Sequence, residues 1–151
     1  MNGPDPDFID ALFERACWVI DPLPERAPEG AGQYFAVERY WMESARLRGL
    51  YARFASLLLK LCCYYDIRLS PALSEEWTDN PAPERIARWF DACAPGGGCR
   101  CLHILVGGDA LLCLDGGDIY MALYNPGETL LRLMEQLARS EGLFLRRSEA
   151  G

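Results

Sequence analysis

Four side chains that could bind a metal or act as nucleophile and base fall close together: Cys93, Cys99, Cys101 and His103. Thiolates and imidazole are the ligands of tetrahedral zinc, and a thiol beside an imidazole is the starting point of cysteine catalysis. The spacing argues against both. Zinc knuckles pair cysteines two to four residues apart so that the chain turns back on one ion. Residues 99, 101 and 103 on one strand would instead be spread by about 6.6 Å per pair, against metal bonds of roughly 2.0 to 2.3 Å. His103 is the only histidine, and no orienting group or oxyanion donor stands beside it in the pattern. It reads as a neutral, hydrogen-bonded core residue. No catalytic residue, metal or cofactor is assigned.

Arg39, Arg46, Arg53 and Lys60 recur every seven residues, so on a continuous helix they form one line that drifts about 20° per heptad. Such a line is a solvated face, a face paired internally with the seven acids of residues 1–30, or a docking face for an acidic segment or a phosphate-bearing ligand. Two acid pairs, Glu75–Glu76 and Asp115/Asp118, are expected to face solvent.

The elements that must position these groups are legible in part. CLHILV, ALLCLD and IYMALYN, separated by Gly107-Gly108-Asp109 and Asp115-Gly116-Gly117-Asp118, read as a three-stranded antiparallel meander over about 101–124. If each Gly-Gly pair fills a two-residue turn, Val106 meets Asp109 and Asp115 meets Asp118. His103 then sits opposite Leu112 on an apolar face that helices must cover. A helix over 127–141 leads to a strand at 143–146, expected beside the third strand and parallel to it, which makes the sheet mixed. Apolar residues at three- and four-residue steps from Leu47 onward predict a long helix over about 45–65, with a possible break between an initial helix at 34–43 and this one. Asn80-Pro81 predicts the start of a shorter helix over about 81–93. Cys17 to Ile20 and Ile67 to Ser70 read as short strands, and residues 1–7 as loose.

The fold class is therefore α+β, in a single compact domain over 1–151. Fourteen of fifteen basic residues are arginine, the formal charge is −7 and seven cysteines are present. A net negative chain is a poor binder of nucleic acid, and an odd number of cysteines set in apolar patterns fits a reducing compartment. With no run of 18 apolar residues and no cation in the first ten, neither a membrane span nor a signal segment is expected. The expected function is a bacterial, cytoplasmic, non-enzymatic protein-binding or regulatory domain. The alternatives are a metal-dependent or thiol enzyme using the Cys93 to His103 region, and nucleotide or nucleic-acid binding along the basic stripe. Candidate partner-binding residues are Arg39, Arg46, Arg53 and Lys60 together with Tyr120 and Tyr124. The tyrosines point to self-association or a docked protein partner, because a tyrosine buries its ring while its hydroxyl stays hydrated.

Overall fold

A computed structural model describes residues 3–30, 32–71 and 76–148. Glu75 lies outside the described residues. The chain is α+β, with five helices and one seven-stranded antiparallel open sheet among the described residues. The strands are β1 (Cys17–Asp21), β2 (Ile67–Pro71), β3 (Thr78–Asp79), β4 (Cys101–Val106), β5 (Ala110–Asp115), β6 (Met121–Tyr124) and β7 (Phe144–Arg147), in the spatial order β3-β2-β4-β5-β6-β1-β7.

The mixed sheet expected from the sequence does not form. β1 is inserted between β6 and β7 and pairs antiparallel with both, so the strands joined by the last helix keep a common direction without touching. Burial explains the choice. Val19 and Ile20 are consecutive and both buried, so β1 suits an interior place with a neighbour on each side, whereas β7 ends in Arg146-Arg147 and suits an edge.

The first hairpin also differs from expectation. Val106 pairs with Ala110, so Gly107, Gly108 and Asp109 make a three-residue loop in which both glycines take positive φ. This slips β4 by one residue against β5, and a one-residue slip reverses every side chain. His103 therefore meets Cys113, not Leu112. The second connection is wider than a two-residue turn, running from Asp115 to Met121. Ile119 turns inward there, and the Tyr51 hydroxyl donates to the Asp118 carbonyl (2.8 Å) while accepting from the Gly117 amide (2.8 Å).

The helices are α1 (Pro6–Leu12), α2 (Tyr34–Trp41), α3 (Ser44–Leu61), α4 (Pro83–Ala92) and α5 (Glu128–Ser140). α1 begins within the stretch expected to be loose, capped by the Asp5 side chain on the Asp7 amide (3.0 Å). The break expected between the initial helix and the long one falls at Glu43, whose backbone is extended. The long helix stops at Leu61, because Cys63 and Tyr64 make tight bonds back to Lys60 and Leu61 in place of continuing the helical ladder. α4 starts at Pro83 and not at Pro81. Asn80 does not cap it: its backbone is left-handed (φ 41°), its carbonyl oxygen accepts from the Ile67 amide (3.0 Å), and its amide donates to Asp66 (3.2 Å).

The main core lies between one sheet face and α3, α4 and α5. Leu102, Ile104, Leu112 and Leu123 meet Leu47, Tyr51, Phe54 and Phe90 there. Leu112 and Leu123 thus face the helical layer as expected, and only the β4 side chains are reversed, which puts His103 on the opposite face. On the His103 face, α1 lays Ile9 and Leu12 over Leu105, Leu111 and Cys113, and so covers only the β4–β5 half.

Candidate docking groove

The uncovered half of that face is the floor of an open groove of about 1580 Å³. Alternation along β1 and β6 turns Cys17, Val19 and Asp21, with Ala122 and Tyr124, to this side. One wall is the end of α1 with Phe13. The opposite wall is the connection after β1, closed by Tyr34 and Phe35 at the start of α2. Asp115 and Asp118 form an acidic lip where β5 passes to β6. Burial and the neighbouring Asp115 and Glu38 carboxylates push the Asp118 carboxyl above its usual range.

At the β7 end, Asp21 is 6 % exposed and is satisfied by Arg146 (3.0 Å) and the Leu23 amide (2.7 Å). An ion pair so placed holds edge strand β7 to β1 through side chains as well as backbone.

Both proposed contact tyrosines lie in the groove. Tyr120 is 40 % exposed. Tyr124 is half-buried edge-on to Phe13, ring centroids 5.1 Å apart, and burial pushes its phenol up to about 12. Tyr34 donates to Glu38 (3.1 Å) and is likewise held at about 12 by burial and that carboxylate. These phenols stay neutral across the physiological range and act as hydrogen-bonding aromatic surface.

His103 is 7 % exposed and edge-on to Phe13 at 6.0 Å. Burial lowers its pKa, with Asp115 opposing, so the imidazole is neutral at pH 7. Its Nδ1 lies 4.0 Å from the Cys101 sulfur, and burial pushes the Cys113 thiol opposite it well up.

The Cys93 to His103 run is divided by the sheet. Cys93 and Cys99 pack into the helix-side core with their sulfurs 3.3 Å apart, while Cys101 and His103 share the groove face. Among the described residues no three His, Cys, Asp or Glu side chains converge as metal ligands.

The basic stripe is also divided. Arg39 belongs to α2 and the other three cations to α3. Arg46 pairs with Glu43 and lies over the Tyr40 ring, 3.4 Å from its centre. Lys60 pairs with Glu141 (2.6 Å) and bonds Ser140 (2.9 Å). Arg53 lies beside Gly142 and adds its charge to the field on Glu141. The stripe thus leans on the end of α5, not on the acidic first thirty residues.

Sequence reasoning placed a helix at 34–43 but not the exposed apolar surface that α2 presents. No residue of this helix is buried, and Phe35 (76 % exposed), Tyr40 (53 %), Met42 and Val37 stand in solvent on it or just after it. The periodicity does not foretell this: carried back from Leu47 at 100° per residue, the α3 core stripe passes within about 20° of Ala36 and Tyr40, and it is the extended backbone at Glu43 that ends the continuity of the two helices.

Comparison with protein-family models, with curated proteins and with solved structures finds no match in any of the three.

Proposed function

We propose that this chain is a non-enzymatic protein-binding domain of the cytoplasm, whose docking surface is the groove together with α2. The observation that carries the reading is the eight-residue helix α2, which has no fully buried residue, rests on the core through half-buried Trp41, and holds Phe35 at the groove's rim and Val37 and Tyr40 in water beyond it. Short helices draw their stability from packing an apolar face, and contiguous exposed apolar surface marks an interaction site. Tyr120 and Tyr124 belong to this surface. The stripe cations Arg46 and Lys60 already have partners within the chain, which leaves the stripe a smaller role in docking.

Charge selects the occupant. The lining sets Glu14, Asp21, Glu25, Glu29, Asp115 and Asp118 against Arg15, Arg26, Arg146 and Arg147, and this acidic excess, on a chain of net charge −7, favours a basic segment of another protein over a second copy carrying the same excess. The test is photocrosslinking in the native cell, with a photoreactive phenylalanine analogue placed at Phe35 or Tyr120 and, as control, at Arg88 on the far helical layer. The expected result is a discrete adduct with another protein from the first two positions only. An adduct of two identical chains would replace the basic partner by self-association. Equal labelling from all three positions, or none from Phe35 and Tyr120, would overturn the reading.

A further inference from the structure

We propose that Cys93 and Cys99 are an oxidisable dithiol that a hydroperoxide converts to an intramolecular disulfide, a modification site independent of the docking groove. Three features converge on this pair. The sulfurs are 3.3 Å apart, so a bond of about 2.05 Å requires a closure of little more than 1 Å. The backbone is already drawn together, because the Cys99 amide donates to the Ala92 carbonyl at 3.0 Å. The two thiols also differ in access: Cys93, at the end of α4, is 3 % exposed, while Cys99, in the loop leading to β4, is half-buried.

That asymmetry sets the order of events. The accessible Cys99 sulfur attacks hydrogen peroxide, the O–O bond breaks, one water leaves and a sulfenic acid forms. The Cys93 sulfur then attacks the Cys99 sulfur, the S–O bond breaks, and the departing oxygen takes the Cys93 proton as a second water. Two thiols and one peroxide give one disulfide and two waters, with two electrons passing from sulfur to oxygen. Burial, which also pushes the Cys93 thiol well up, keeps it from peroxide and leaves it the resolving partner. Cys62 and Cys63 are the obvious competitors by sequence, yet Cys62 packs against the core while Cys63 is exposed.

Reduced full-length protein treated with hydrogen peroxide, blocked with N-ethylmaleimide and digested should yield a peptide in which Cys93 and Cys99 are joined and short of two hydrogens. The other five cysteines should be alkylated, and dithiothreitol should restore all seven. Cys99→Ser should abolish the crosslink, and Cys93→Ala should leave Cys99 to advance to sulfinic acid. A wild-type map with Cys99 over-oxidised and Cys93 alkylated, with a different pair joined, or with all seven alkylated would overturn the proposal. The wild-type map decides alone if a variant does not fold.

Discussion

Glu141 shows how one carboxylate reorganises a charge pattern. Burial opposes its ionisation, but hydrogen bonds from Lys60 and Ser56 and the charges of Lys60 and Arg53 prevail and hold it below the usual glutamate range. A carboxylate with a depressed folded pKa contributes stability above its unfolded value, and loses it as pH falls through the folded one. Glu141→Gln should therefore cost about 1 kcal/mol at neutral pH, the scale of a partly exposed pair. The difference from wild type should vanish near pH 3, as urea unfolding at the two pH values would read. The cations Arg39, Arg46, Arg53 and Lys60 were legible from their spacing, but the carboxylate that Lys60 and Arg53 face was not, since Glu141 closes another helix at a position that no local rule reaches. His103 was legible as a buried residue of the sheet, although its neighbours were misassigned.

At the scale of elements, the α3 stripe, the strands on either side of Gly107-Gly108 and the helix before β7 follow from periodicity and turn chemistry. The register did not, because Gly-Gly-Asp serves a two- or a three-residue loop equally well and the choice reverses a face. The place of β1 was hidden for a different reason: strand order is decided by which faces need burial, a property of the whole sheet. Close approach gives a direct test of the observed packing. A Cβ on Gly116 would meet the Cys93 carbonyl oxygen at 2.7 Å and that of Arg100 at 2.9 Å. Backbone atoms cannot swing aside, so Gly116→Ala should destabilise by about 1–3 kcal/mol. Gly49→Ala, inside α3 with nothing within 4 Å, should stabilise by about 0.5–1 kcal/mol. Thermal unfolding of the two variants should move in opposite directions.

Across the whole molecule, one sheet carries a finished side and an unfinished one. α3, α4 and α5 complete the first, while α1 covers half of the second and leaves the rest to the groove and α2. Because the occupant is expected to be basic, the isolated chain should be monomeric by light scattering at micromolar concentration. Capture of its partner should also weaken as ionic strength rises, since exposed charges are screened within about 10 Å at 0.1 M salt. Among the described residues no helix is long and apolar enough to cross a membrane.

The insertion of β1 between β6 and β7 has a consequence for how the protein is made. β1 is the first strand to leave the ribosome, yet both of its neighbours come from the far end of the chain: Val19 waits for Ala122 and then for Arg146. Until those arrive, β1 has no ladder on either side, and the groove it floors does not exist. Such distant pairings are slow to form. A nascent chain halted after α5 would lack β7 and the Arg146 partner of Asp21, so the proposed docking surface should stay incomplete until β7 has been made.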